Sequence, residues 1–131
     1  MGAANDEAAI DAVAGTASPT VRRLVHDAVA MLRAVVPDAQ LDVDAAAKLI
    51  GFTFAPGTYK GLFAGVIAHR GHVNLMFSNG VELISIAPEH LLQGTGKKAR
   101  HITLTDPDQL ADHEIRQLLR VAAERTRVSL S

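Results

Sequence analysis

Residues 62–104 decide the fold, and they read LFAGVIAHRGHVNLMFSNGVELISIAPEHLLQGTGKKARHITL. Apolar residues alternate along much of this stretch, and the dipeptides Arg70-Gly71 and Asn79-Gly80 are typical of tight turns. Asn-Gly is a strong hairpin signal, because both central residues of the favoured turn need positive φ. The stretch therefore predicts a meander with strands over 62–69, 72–78, 81–86 and 101–104.

The flanking residues extend this pattern at both ends. An alternating segment predicts a strand over 48–54, and the acidic residues 38–47 before it predict a polar connection. Ser18 and Pro19 are typical of a helix start and Pro37 of a helix end. A second amphipathic pattern predicts a C-terminal helix from about Asp112 onward.

The fold class expected from these elements is α+β. We expect a mostly antiparallel sheet, a four-strand meander plus a short fifth strand, packed with N- and C-terminal helices. Residues 18–131 would form a single domain. Residues 1–17 are rich in Ala, Asp and Gly and are expected to be a flexible tail, with a short loose helix over 6–13 as the alternative.

The register of the first hairpin decides which side chains share a face, because side chains alternate along a strand. A two-residue Arg70-Gly71 loop places His69 opposite His72. The face predicted to be core then carries Ala64, Val66, Ala68, Val73, Leu75 and Phe77. The opposite, mixed face carries Phe63, Gly65, Ile67, His69, His72, Asn74, Met76 and Ser78. A ligand is expected to bind on this half-polar side.

Composition excludes several classes of function. The chain has 131 residues, 48% of them hydrophobic, and no cysteine, which rules out disulfides and thiolate chemistry. Its 13 basic and 14 acidic residues lack the basic excess of nucleic-acid-binding proteins. No apolar run approaches the ~20 residues needed to cross a bilayer. The N-terminus carries acids where a signal peptide needs bases, so we expect a cytoplasmic protein without membrane partners.

A glycine-flanked basic loop is the main candidate site. Successive amides in such a loop can bind an anion, and the neighbouring cations would add charge. The loop lacks the spacing of a Walker motif. Together with the mixed face, it gives a predicted ligand site of Gly94, Gly96, Lys97, Lys98, Arg100, His101, His72 and Asn74. The alternative interpretation is a solvated turn whose glycines permit positive φ.

Metal binding and catalysis are the rival functions. His69, His72 and His101 could share a metal ion if the last strand lies beside the hairpin. The sequence has no nucleophile elbow and no paired acids, so we name no catalytic residue, no metal ligand and no cofactor. An enzyme with an unrecognised site stays open, because catalytic groups can come from distant loops.

Several segments resemble the YdhG-like family, also described as domain of unknown function 1801. They are KGLFAG at 60–65, HVNLMF at 72–77, GVEL at 80–83, LLQGTGK at 91–97 and RHI at 100–102. The resemblance covers roughly residues 18–128 and implies a small bacterial protein with a helix–meander–helix fold. Most members have no assigned activity, and one branch is linked to frataxin-like iron handling. The segment LIGFTF at 49–54 departs from the aromatic pattern of many members.

The sequence therefore predicts only a general class of function. We expect a non-catalytic binder of a small anionic ligand or a protein partner. Frataxin-like metal handling and an unrecognised enzyme remain the alternatives. The sequence gives no indication of the oligomeric state.

Overall fold

A computed structural model describes residues 3–131, with side chains from Asp6 onward. The helices are α1 Ala3–Ala14, α2 Pro19–Val35 and α3 His113–Leu130. The strands are β1 Gln40–Asp44, β2 Leu49–Thr53, β3 Leu62–Ala68, β4 Val73–Phe77 and β5 Arg100–Leu104. Short 3-10 helices cover Gly80–Leu83 and Pro107–Ala111. None of the helices in this described part is long and apolar enough to cross a membrane.

The five strands form one antiparallel sheet in the order β1-β2-β3-β4-β5, so the α+β class is confirmed. The strands, however, are not all the predicted ones. The prediction of a polar connection over 38–47 is wrong, since β1 lies there and pairs with β2. Its Leu41 and Val43 alternate with acidic residues and pack against the core. An edge strand needs only this narrow apolar stripe, which is why it resembles an acidic loop.

The predicted strand over 81–86 is also wrong. Neither Asn79 nor Gly80 has positive φ, and the chain enters a 3-10 helix at Gly80. A Cβ on Gly80 would lie 2.5 Å from the Cβ of Arg100. The glycine therefore allows β5 to approach, and β5 takes the place beside β4 that the predicted hairpin strand would have filled.

The Arg70-Gly71 hairpin is confirmed with its register. The amide of His69 donates to the carbonyl of His72 at 2.9 Å. The paired residues are Ala68 with Val73, Val66 with Leu75, and Ala64 with Phe77. The predicted core face of this hairpin is buried throughout.

Two side chains predicted on the mixed face of the hairpin are buried. Thr53 pairs with Leu62 rather than with Phe63, so Phe63 is the extra residue of a β-bulge. The bulge breaks the strict alternation, and Phe63 joins the core with 1% of its surface exposed. Ser78 lies beyond the end of β4 and is equally buried, because its hydroxyl donates to the carbonyl of Leu62.

The helix α2 begins and ends as the sequence predicts. Ser18 is the N-cap and accepts a hydrogen bond from the amide of Val21 at 3.2 Å, with Pro19 as the first helical residue. The helix ends at Val35, before Pro37. Its buried stripe packs on β3 and β4. The C-terminal helix α3 begins after Asp112, whose carboxylate caps the amide of Glu114.

The N-terminal segment is not a flexible tail over residues 3–14. It forms α1, whose Ile10, Val13 and Ala14 are buried in the same core as α2. Gly15 ends the helix with φ of +56°, as a glycine after a helix commonly does. The segment is therefore packed on the domain and longer than the alternative helix over 6–13.

The three helices pack on one face of the sheet only. The opposite face, here called the outer face, is half-buried or exposed at most of its side chains. It consists of Asp42, Asp44, Leu49, Gly51, Gly65, Ile67, Asn74, Met76, His101 and Thr103. It includes part of the predicted mixed face and positions two of the predicted ligand residues, Asn74 and His101.

Candidate functional site

The predicted anion loop is closed by an isolated pair of backbone hydrogen bonds. Gln93 and His101 exchange them at 2.8 and 2.9 Å, which makes residues 94–100 a compact excursion from the start of β5. Gly94 has φ of +121°, a conformation that other residues rarely adopt. Gly96 does not have positive φ. One of the two glycines is thus required by the backbone itself.

Two of the three cations of this loop contact the protein itself, while Lys97 is exposed. The Arg100 guanidinium donates from Nη1 to the carbonyls of Gly96 at 2.5 Å and Ala99 at 2.7 Å. The Lys98 ammonium lies 5.5 Å from the centre of the Tyr59 ring, within the range of a cation–π contact. Arg100 therefore stabilises the loop conformation, and Lys98 extends toward the loop between β2 and β3.

Of the remaining predicted residues, His101 lies at the base of the loop, whereas Asn74 and His72 lie toward the start of β4 and do not meet the loop in one pocket. His101 pairs with Met76, four residues from His72 along the strand direction, or about 13 Å at the usual rise per residue. Asn74 lies between these levels, opposite Thr103. The structure thus separates the predicted site into a loop and a strip of polar side chains.

The strip is centred on the hairpin tip. The rings of His69 and His72 stack with centroids 4.6 Å apart, and Asn74 Nδ2 lies 3.1 Å from His69 Nε2. Desolvation of the ring lowers the pKa of His69, and the nearby His72 and His101 lower it further. The Oδ1 atom of Asn74 is buried without a hydrogen-bond partner among the described residues. The strip therefore favours neutral imidazole at His69.

Among residues 3–131, no group of three His, Asp or Glu side chains is arranged to hold a metal ion. His69 and His72 are neighbours as predicted, but His101 lies further along the sheet. The structure therefore gives no geometric support to a three-histidine site.

A cleft that the sequence did not indicate lies between α3, the 3-10 helix Gly80–Leu83 and the sheet. Its volume is about 130 Å³. Its apolar lining comes from Phe63, Phe77, Leu83 and Ala122. Burial of Phe63 by the β-bulge, together with the close approach at Gly80, creates this wall. The sequence could not show it, since both features arise from contacts between distant strands.

Cations lie at the polar side of the cleft. Lys60 and Arg125 line it, together with Glu82. Arg125 Nη1 donates to the backbone carbonyl of Glu82 at 2.8 Å, while the Glu82 carboxylate lies 3.9 Å away. This anchors one edge of the guanidinium, whose other edge still carries donors. Glu82 offsets part of the positive charge.

The two basic regions adjoin each other through Tyr59. Its hydroxyl donates to the carbonyl of Ser78, a residue of the cleft wall, at 3.0 Å. Its ring lies beneath Lys98 from the predicted loop. The amide of Val81 also donates to the carbonyl of Lys98 at 2.9 Å. The predicted loop is therefore fixed beside the cleft. Lys98 is the predicted site residue that connects the loop to the cleft wall.

A second charged cluster near the same end of the sheet is structural. Arg127 makes two hydrogen bonds to the Asp38 carboxylate, at 2.7 and 3.1 Å, and one to Glu124 at 3.1 Å. Its guanidinium lies 4.7 Å from the centre of the Phe54 ring. The hydrogen bonds from Arg127 lower the pKa of Asp38. These contacts join α3 to the residues before β1 and occupy all three nitrogens of the Arg127 guanidinium.

Comparisons with protein-family models, curated proteins and solved structures found no match for this chain. The resemblance to the YdhG-like family therefore stays a prediction.

Proposed function

We propose that this chain is a non-catalytic binding protein for a small anionic ligand, and that the ligand occupies the cleft beside α3. The observation that carries the proposal is the placement of two cations, Lys60 and Arg125, on a cleft with an aromatic wall. A concave apolar site with a few convergent polar groups is the usual form of a small-molecule site.

The size and lining of the cleft limit the ligand. An apolar cavity of about 150 Å³ in another protein accepts benzene. By volume, the 130 Å³ cleft therefore suits an apolar group of at most five or six carbon atoms, about the size of benzene. The anionic group would remain at the polar side, where solvent and the two cations meet. A small carboxylate with an aromatic or branched aliphatic body combines these properties.

Binding without chemistry is the simplest use of these groups. The Ser78 hydroxyl already donates to the Leu62 carbonyl, and the described lining contains no histidine that could activate a hydroxyl. Arg125 is positioned by its hydrogen bond to the Glu82 carbonyl, and a fixed guanidinium loses less freedom when it binds a carboxylate. In the described residues, no hydroxyl of the lining is hydrogen-bonded to Glu82 or Lys60, so the groups present can orient an anion without an activated nucleophile.

Calorimetric titration with benzoate and with benzyl alcohol tests the proposal. The two probes have the same aromatic body and differ in charge. We expect saturable binding of benzoate, at least about tenfold tighter than benzyl alcohol, because a charge-assisted hydrogen bond contributes more than a neutral one. The variant Lys60→Gln/Arg125→Gln should remove this preference, and Ala122→Leu should block both probes by filling the cleft.

Arg120→Gln is the matched control, since Arg120 is an exposed arginine of the same helix outside the cleft lining. It should bind benzoate as the unchanged protein does. Equal affinity for both probes, or benzoate binding that survives Ala122→Leu, would contradict the proposed site.

A further inference from the structure

The outer face carries carboxylates at its β1 edge and uncharged hydrogen-bonding side chains or imidazole at its β5 edge. One row of paired residues crosses all five strands in the order Asp42, Gly51, Gly65, Met76 and His101. A carboxylate therefore begins the row on β1, and an imidazole ends it on β5. Asp42 is exposed and His101 is half-buried.

The neighbouring row repeats this order. It runs Asp44, Leu49, Ile67, Asn74 and Thr103, again with an acid on β1 and a neutral polar residue on β5. The central strand β3 contributes the middle residue of each row. The apolar residues Leu49, Ile67 and Met76 lie between the polar edges and are only half-buried.

Such a face is complementary to a second copy of itself. If two faces pack about a two-fold axis parallel to the strands, β3 lies on β3 and β1 lies on β5 of the other copy. The Asp42 carboxylate then faces His101 of that copy, and Ile67 faces its own equivalent. Rotation about an axis across the strands would instead place Asp42 against Asp42, which like-charge repulsion disfavours.

We propose that the outer face is a self-association surface, on which two copies of this chain pack sheet to sheet with their strands aligned. The His101 imidazole donates to the Asp42 carboxylate of the other copy twice in each dimer. Asp42 Oδ2 already accepts the amide of Gly57 at 2.9 Å, which fixes the carboxylate and leaves Oδ1 for this contact. The proposal is independent of the cleft, which lies on the helical side of the sheet.

The dimer should be weak. Five strands at the usual spacing span about 19 Å, and five residues along a strand span about 17 Å. This area is small beside the ~800 Å² that each partner buries in a typical stable complex. Association should therefore depend on protein concentration, and loss of the contacts between Asp42 and His101 should weaken it measurably.

Sedimentation equilibrium over a wide range of concentrations tests the proposal. We expect a reversible monomer–dimer equilibrium for the unchanged chain. His101→Asp should weaken it by at least about tenfold, because two pairs of carboxylates would then face each other. Asp42→Lys should also weaken it, by placing an ammonium against the imidazole. Ile67→Glu, which places two glutamates together on the axis, should leave only monomer.

Mixing the Asp42→Lys and His101→Asp chains tests the aligned geometry most directly. A dimer of one Asp42→Lys chain and one His101→Asp chain contains one Lys–Asp pair and one original Asp–His pair. The mixture should therefore associate more tightly than either variant alone. Gln117→Lys, at an exposed position of α3, is the control and should dimerise normally. Circular dichroism checks that each variant is folded.

A chain that is monomeric at every concentration would overturn the proposal. So would a dimer that tolerates Ile67→Glu, since its interface would have to lie elsewhere. Failure of the two variants to associate when mixed, with both folded, would exclude the aligned geometry.

Discussion

At the scale of single residues, Gly80 shows how one amino acid can be required for an unexpected reason. Its absent side chain makes room for Arg100, whose backbone nitrogen would lie 2.8 Å from a Cβ at position 80. Gly80→Val should therefore destabilise the fold by about 1–3 kcal/mol through overpacking. Gly71→Ala, where a Cβ meets no atom within 4 Å, should change the urea midpoint little.

Gly80→Asn separates the two explanations for this glycine. Asparagine tolerates positive φ better than most residues do, so a turn glycine would accept it. A glycine needed for close approach would not, and we expect Gly80→Asn to destabilise the fold as Gly80→Val does. The sequence could not distinguish the two cases, because a glycine needed for a turn and one needed for close approach are the same residue. Only the position of β5 decides between them.

Asp38 gives a prediction about acid stability. Its folded-state pKa lies below the ordinary 3.8 because Arg127 donates hydrogen bonds to the carboxylate. The stabilisation is therefore present above the unfolded-state pKa and is lost as pH falls through the folded-state value. Asp38→Asn should lower the urea midpoint at about pH 7 and have little effect at about pH 2. A constant difference between the two pH values would contradict this assignment.

Double substitution checks that Arg127 is the partner. Arg127→Gln and Asp38→Asn should be non-additive at neutral pH, because each alone removes the same pair of hydrogen bonds. They should approach additivity in acid, where the carboxyl is protonated in both states.

At the scale of elements, the β3–β4 hairpin is the part that local sequence determines best. The fixed register buries Phe77 completely and leaves its neighbour Met76 half-buried on the outer face. Phe77→Ala should cost about 3–5 kcal/mol, and Met76→Ala clearly less. Urea unfolding of the two variants measures this difference. Equal costs would indicate that the strand is shifted by one residue.

The same hairpin should make the protein sensitive to mild acid. The folded-state pKa of His69 lies below the ordinary 6.5, first through desolvation and then through His72 and His101. The unfolded state therefore binds a proton more readily, and stability should fall as pH drops below about 6.5. His69→Gln should reduce this fall in the urea midpoint between about pH 7.5 and pH 5. An unchanged pH profile would assign the effect to other groups.

The elements that the sequence missed depend on contacts from far along the chain. The strand β1 carries only Leu41 and Val43 toward the core, and its acids read as a connection until β2 is known to pair with it. The segment 81–86 is rich in β-branched and other apolar residues and so resembles a strand, yet Val81, Ile84 and Ile86 remain 39–49% exposed. Because β5 already pairs with the free edge of β4, this segment cannot form a strand there and begins with a 3-10 helix instead.

At the scale of the whole molecule, the candidate site is the part least accessible from sequence. Lys60, Lys98 and Arg125 come from three separated segments and meet only at one end of the folded sheet. A local motif could indicate the glycine loop but not the cleft beside it. In principle Arg125 was detectable, because it borders the apolar stripe of α3, but nothing in its neighbours distinguishes it from other surface arginines.

The packing of α1 joins the N-terminal residues to the fold as a whole. Ile10 is 1% exposed against α2, and the contact is flanked by an ion pair from Arg33 to Asp6 at 2.8 Å and a hydrogen bond between His26 and Asp11 at 2.6 Å. Ile10→Ala should therefore lower the free energy of unfolding by about 2–5 kcal/mol.

Ala12→Ser, at an exposed position of the same helix, is the matched control and should cost only a few tenths of a kcal/mol. Urea unfolding followed by circular dichroism measures both variants. If α1 were a flexible tail, Ile10→Ala would be as harmless as the control. Because α1 completes the core, the same substitution should lower the stability of the whole domain in one cooperative transition.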